Sequence, residues 1–382
     1  MDRIIANIKG KNKGASIVFF AGIHGNETAG VFALERVLKT IDPETIHGNI
    51  YGISGNLQAL KSNQRFLDKD LNRIWTKEQL EALKSKDQFN IEELEQLEIF
   101  KLLQDIITTD SGPFYFIDFH TTSSKTLPFI TINDALINRK FSKLFPVPIV
   151  LGIEEYLNGP LLSYINELGY VSLGFESGQH EEKEAIDNSI SFIYQALVHA
   201  KIMDKETVPD FKKYHELLKS NSENLTEIFE VVYLHRLKEG DNFKMKEGFK
   251  SFQPVKKGTV LATSNGEDLE CSRSARLFMP LYQKKGAEGF FIIRPIKPFF
   301  LKLSAILRYL KFDGLLVLLP GISWENNSKA ALKVNLKVTK FFAKSIFHLL
   351  GYRNKRVDAT HLLLYNRERA SKIESYENEG WY

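Results

Sequence analysis

One cysteine, Cys271, stands among 382 residues. A disulfide within the chain is therefore impossible, and a thiolate zinc site of the CxxC kind is absent. A reducing compartment follows from that usage, so a cytoplasmic location is expected. Long apolar runs are missing as well. The stretch GLLVLLP at 314–320 comes nearest, far short of the roughly 18 residues of a membrane span. The N-terminal MDRIIANIKGKNKG lacks the apolar segment of a signal peptide. Charge of one sign does not dominate: the net charge is only +4, so bulk charge points to no nucleic-acid partner. Internal repeats and low-complexity tracts are absent.

What is present is the composition of a soluble globular protein, 43% hydrophobic and 26% charged. The length allows two or three domains with a well-buried core. Apolar strand-like runs fall at 16–21 (SIVFFA), 49–54, 114–119 (FYFIDF), 129–132, 147–153 and 170–175. Helical spacing falls between them at 26–39, at 77–108 as one helix or two, and at 187–203. Strands alternating with helices predict an α/β fold, a mostly parallel sheet flanked by helices. The polar segment 211–225 reads as a connector. From 226 to 296 short β runs with glycine turns replace the βα alternation, which predicts a smaller β domain. The expected division is 1–210 catalytic domain, 226–296 β domain and 297–382 extension. That extension is basic, with fifteen Lys/Arg against seven Asp/Glu, net +8. Within it Lys329, Lys333, Lys337, Lys340 and Lys344 repeat at helical spacing, with Val334, Val338, Phe341, Ser345 and Leu349 on other faces. An amphipathic basic helix over 329–344 is expected: a solvated face, or a weak contact for an anionic membrane surface or acidic partner.

The chemistry-bearing residues sit where strands end. After SIVFFA comes Gly-Ile-His-Gly-Asn-Glu, placing His24 and Glu27 at the edge of an open α/β sheet where ligands bind. After FYFIDF comes His120. Two imidazoles and a carboxylate suit Zn²⁺ and leave a position open, as catalytic zinc sites do; the His24/Glu27 pair alone is a spacing that also arises by chance. Asp118 lies on the same side of its strand as His120, either orienting a ligand or packing as a satisfied buried acid. Glu176 follows a third apolar strand, where a carboxylate is costly unless it works or is paired; it is a candidate proton acceptor, or else a loop carboxylate. Asn56 and the charge-dense 65–73, Arg-Phe-Leu-Asp-Lys-Asp-Leu-Asn-Arg, complete the set. Arg65 and Arg73 suit carboxylate binding or oxyanion stabilisation, although the same stretch reads equally as a surface ion-pair cluster. Of the other histidines only His180, four residues past Glu176, stands near these elements.

In this order His24-xx-Glu27, Asn56, Arg65, Asp70-Leu-Asn72-Arg73, His120 and Glu176 resemble the succinylglutamate desuccinylase/aspartoacylase family over about residues 14–296. The resemblance implies the zinc-carboxypeptidase fold and one Zn²⁺ held by His24, Glu27 and His120. Glu176 would be general base and then acid. Arg65 would polarise the scissile carbonyl, Asn72 and Arg73 would hold a substrate carboxylate, and Asp70 would support them. Tyr282, in Leu-Tyr-Gln-Lys-Lys-Gly, corresponds to a substrate-binding tyrosine. The expected activity is amide hydrolysis of a small N-acyl amino acid. Peptide carboxypeptidase action and a non-catalytic binding role are the alternatives. Residues 297–382 have no counterpart in that resemblance.

Overall fold

The computed structural model describes residues 2–325, 329, 331–335, 337–338, 347–356 and 360–382. The chain opens with β1 (Ile4–Lys9), β2 (Asn12–Ala21), α1 (Ala29–Leu38), β3 (His47–Ser54), α2 (Leu57–Ser62), α3 (Lys77–Lys84) and α4 (Ile91–Thr109). It continues through β4 (Phe114–Thr122), β5 (Phe129–Ile132), α5 (Leu136–Ser142), β6 (Ile149–Leu151), α6 (Leu161–Glu167), β7 (Val171–Gln179), α7 (Lys183–His199) and α8 (Phe211–Asn221). Seven strands follow: β8 (Ile228–Arg236), β9 (Phe243–Met245), β10 (Pro254–Val255), β11 (Val260–Ser264), β12 (Glu267–Glu270), β13 (Ala275–Phe278) and β14 (Glu288–Pro295). The extension holds α9 (Pro298–Tyr309), β15 (Ile322–Trp324), β16 (Ala331–Asn335), β17 (Tyr352–Arg356) and β18 (His361–Asn366).

Eleven strands form one mixed sheet in the order β1-β3-β2-β4-β7-β5-β6-β8-β14-β13-β10. β3, β2, β4 and β7 run parallel, as do β5, β6 and β8. β5 meets β7 antiparallel, and β14, β13 and β10 continue antiparallel beyond β8. Three short strands, β12-β11-β9, make a second sheet. The α/β architecture read from the alternation is therefore what forms, but the sheet is mixed and not mostly parallel, since five of its ten strand pairings are antiparallel.

Period-two alternation divides the central strands between two helix layers. On β2, Ile17, Phe19 and Ala21 enter the core beneath α1 and α7, with Val31, Leu34, Phe192 and Ile193. Val18 and Phe20 face the other way, into the core of α3, α4 and α6. Each fully buried phenylalanine stabilises this arrangement by roughly 1.5–3 kcal/mol. The 77–108 stretch forms two helices. Asn90 caps α4 through a reciprocal box with Glu93, and this starts a new helix instead of extending α3.

The extension departs from its expected form. Residues 331–335, in the middle of the lysine repeat, are strand β16, paired with β15 and β18 in a four-stranded antiparallel sheet β15-β16-β18-β17. Leu332 and Val334 point into a small core with Leu316, Phe347 and Tyr352, while Lys333 is exposed. Alternation of apolar and charged residues outweighs the lysine spacing there, so the 329–344 segment is not one amphipathic helix. Lys340, Phe341, Lys344 and Ser345 lie outside the described residues. The extension also reaches into the main body. Tyr376 is fully buried, and its hydroxyl accepts from Val171 N at 3.0 Å and donates to Phe114 O, joining β7 to β4. Arg308, on α9, is buried against Asp134 and Glu368 at 2.9 and 2.8 Å.

Candidate metal centre

The turn after β2 is built for close approach. Gly22 has a φ of +72°, and a side chain at Gly25 would lie 2.1 Å from the Ala59 backbone. Glu27 N donates to His24 O at 3.1 Å, closing the turn ahead of α1. His24 and Glu27 are thereby carried to the C-terminal edge of β2, beside the end of the neighbouring parallel strand β4, where His120 stands.

All three side chains are buried, and one donor atom from each lies within 4.8 Å of the others. Glu27 is the pivot. Its Oε1 is 2.8 Å from His24 Nδ1 and its Oε2 is 2.8 Å from His120 Nδ1. The far ring nitrogens face further carboxylates: His24 Nε2 meets Asp70 Oδ1 at 3.0 Å, and His120 Nε2 meets Asp118 Oδ2 at 2.8 Å. Two imidazoles, each backed by a carboxylate, form the orientation that metal-binding histidines require. Of the two readings open for Asp118, the orienting one is what its contact with His120 supports. Two nitrogens and one oxygen converging in a buried site fit Zn²⁺.

The electrostatics follow from burial against pairing. Burial raises the Glu27 carboxyl, but His24 and His120 outweigh it and hold it well below the usual carboxylate range. Burial lowers the His120 imidazole, but Asp118 and Glu27 prevail and leave it well above its ordinary value. Asp70 is opposed by burial and held low by His24, Arg65 and Arg73.

Arg65 joins the cluster from the side, donating to Glu27 Oε1 at 3.2 Å and Asp70 Oδ2 at 3.3 Å. Asp70 also caps a short turn, Leu71–Arg73, by accepting from Asn72 N at 2.9 Å. That turn aims Asn72 and Arg73 into the same cleft as His24, Glu27, His120 and Glu176. Arg73 donates to Glu288 Oε1 at 3.2 Å. Glu176 stands opposite His120 in the β4–β7 register. Its Oε2 is buried without a hydrogen-bond partner among the described residues, and burial pushes its carboxyl up to about 8 despite the opposing charge of His120. The dense charges of 65–73 are thus largely turned inward, not spread over the surface.

Two expected residues stand elsewhere. Asn56 is buried but points away from the cleft: its Oδ1 caps α2 at Ala59 N and its Nδ2 donates to Glu92, each at 3.0 Å. Tyr282 lies on the surface, its hydroxyl bonded to Lys246 O at 2.8 Å and Phe249 N at 3.1 Å. Its neighbour Gln283 reaches the cleft instead, 3.3 Å from His180 Nε2 and 3.1 Å from Asn26 Nδ2. His180 accordingly belongs to the cleft wall, with Nδ1 2.7 Å from Thr121 Oγ1, and burial holds its imidazole low. Glu288, Gln283 and Thr121 carried no sequence signal. Glu288 and Gln283 arrive from the β-rich region after residue 226 by long-range packing, and Thr121 reads as an ordinary strand residue.

Residues 13–195 match the succinylglutamate desuccinylase/aspartoacylase catalytic domain. The succinylglutamate desuccinylase of Pseudomonas aeruginosa (strain PAO1) is 30% identical over 95 residues, 24% of this chain and 28% of that protein. That of Photorhabdus laumondii is 32% identical over 108 residues, 28% of this chain and 33% of that protein. The chain thus spans no more than a third of the length of these relatives. In three dimensions it resembles a succinylglutamate desuccinylase/aspartoacylase from Rhodobacter sphaeroides, with a TM-score of 0.57 and 15% identity over 76% of this chain and 88% of the other. It also resembles the product-bound ectoine utilization protein EutE (DoeB) of Ruegeria pomeroyi, with a TM-score of 0.56 and 18% identity over 76% and 88%. At such identities the structural likeness speaks to fold. Over residues 13–195, just under half of its length, the chain is thus similar to the succinylglutamate desuccinylase/aspartoacylase catalytic domain.

Proposed function

We propose that this protein is a zinc-dependent hydrolase that cleaves the amide bond of small N-acyl amino acids. The observation that carries the reading is the Glu27 carboxylate set between two histidine Nδ1 atoms, each ring backed by an aspartate, beside the unpaired Glu176 oxygen. His24, Glu27 and His120 would hold the metal. Zinc bound there supplies Lewis acidity and lowers the pKa of a coordinated water toward neutrality.

The chain's own groups do the rest. Glu176 accepts a proton from the attacking water and hands it to the departing amine. Its burial keeps it basic enough for both tasks. Arg65, rigidly held by Glu27 and Asp70, shares the negative charge that develops on the carbonyl oxygen. A donor so placed is worth about 3–4 kcal/mol in the transition state. Arg73 and Asn72 take the free carboxylate of the substrate, and Glu288 fixes the Arg73 guanidinium. Asp118 and Asp70 orient the two imidazoles. His180, held at both ring nitrogens, is a rigid wall of the acyl-binding cleft.

The test is amine release from a panel of N-acyl amino acids: acetyl, succinyl and longer acyl groups on Asp, Glu and neutral residues. Turnover of at least one member is expected, stopped by a chelator and restored by zinc. Efficient cleavage of long peptides, with the panel untouched, would overturn the assignment in favour of peptidase action.

A further inference from the structure

Helix α9 is apolar on both sides: Leu301 and Leu307 pack against buried cores, and a second set of apolar side chains faces solvent. The face turned to the protein carries Ser304 and Arg308, both buried. The face turned to solvent carries Phe299, Ile306 and Tyr309, seven and three residues apart and so on one side of the helix, with exposed Lys302 among them. Phe299 is 66% exposed and Tyr309 84%. The stripe continues past the helix end through exposed Leu310, Leu315 and Leu318, the last 76% exposed. Beneath, Leu307 and Leu316 share one small core, so the exposed side chains stand on a packed base. So many large apolar side chains exposed together over one short stretch mark an interaction site.

The charges around it select the partner. Between residues 297 and 319 the exposed charged residues are Lys297, Lys302 and Lys311. The one carboxylate of that stretch, Asp313, is buried and bonded to Tyr352, Asn366 and Arg369. A second copy of the chain meeting this face about a two-fold axis would set lysines against lysines. An anionic lipid surface meets both needs: apolar and aromatic side chains enter the acyl boundary while the lysines engage headgroups. Among the described residues no helix is long and apolar enough to cross a membrane, which fits a helix lying in the interface plane.

We propose that α9 and the turn after it, Phe299–Leu318, dock this protein on an anionic membrane surface. The site is independent of the 329–344 lysine repeat and of the hydrolase reading. The experiment is co-sedimentation of the full chain with vesicles of phosphatidylcholine, alone or mixed in equal parts with phosphatidylglycerol. Binding is expected with the anionic vesicles, weakening with salt. It should fall about fivefold for each of Lys297→Ala, Lys302→Ala and Lys311→Ala, and vanish in the double variant Tyr309→Glu, Leu318→Glu. All five side chains are exposed, so thermal unfolding should be unchanged and serves as the control for folding. Failure to bind anionic vesicles, or binding indifferent to these substitutions, would overturn the proposal. So would concentration-dependent dimerisation in sedimentation equilibrium that the double variant abolishes without any vesicle binding, since a second copy would then cover the face.

Discussion

Tyr376→Phe removes one oxygen atom from the extension and tests whether that extension belongs to the core of the sheet. The hydroxyl accepts from Val171 N and donates to Phe114 O, at the points where β7 and β4 begin. The ring is fully buried against Tyr115 and Trp381, so no space opens for water when the oxygen is lost. Val171 N and Phe114 O, which lie in the β4–β7 ladder, each lose a hydrogen bond worth about 0.5–1.5 kcal/mol. The more apolar phenylalanine offsets part of this. A net destabilisation of about 1–2 kcal/mol is expected, read as a lower urea midpoint at unchanged slope. A change below about 0.5 kcal/mol would refute the reasoning, because an extension merely resting on the surface would give that result.

Three further outcomes are expected. His120→Ala should lose most bound zinc in elemental analysis; unchanged metal content would remove His120 from the ligand set. Asp118→Asn should keep the fold and weaken zinc affinity about 10–100-fold in chelator competition, whereas unaltered affinity would make Asp118 a packing residue only. His199 is half-buried, its ring against Phe145, and burial, then His215, hold its imidazole down at about 4. The unfolded chain therefore takes up a proton near the ordinary histidine value that the folded chain refuses until about pH 4. Stability contributed by this site is present above that ordinary value and is lost as pH falls toward 4, by roughly 2–3 kcal/mol. His199→Gln should flatten that part of the pH–stability curve, and an unchanged slope would contradict the assignment.

The candidate metal centre was legible because its residues follow apolar strands, where a histidine or glutamate is conspicuous. Asp118 was legible as a neighbour of His120 because side chains on a strand alternate. The turn of 70–73 was legible only as a charged segment; its inward aim depends on Asp70 reaching His24, 46 residues away. Asn56 looked like a site residue and is a helix cap, since asparagine ahead of a helix start serves both roles. Gln283 and Glu288 could not be found, because what matters is their contact with residues 103 and 215 positions distant. In the extension, lysines spaced for a helix misled where alternation marked a strand. The exposed apolar face of α9 stayed hidden because a sequence shows apolar residues but not which of them are buried.

The most direct test of the central claim is turnover by Glu176→Gln on a substrate cleaved by the wild type, with zinc content measured on the same samples. The account predicts unchanged zinc and a rate lower by orders of magnitude, because the carboxyl that moves the proton is gone while the ligands stay. A near-normal rate with zinc in place would contradict it.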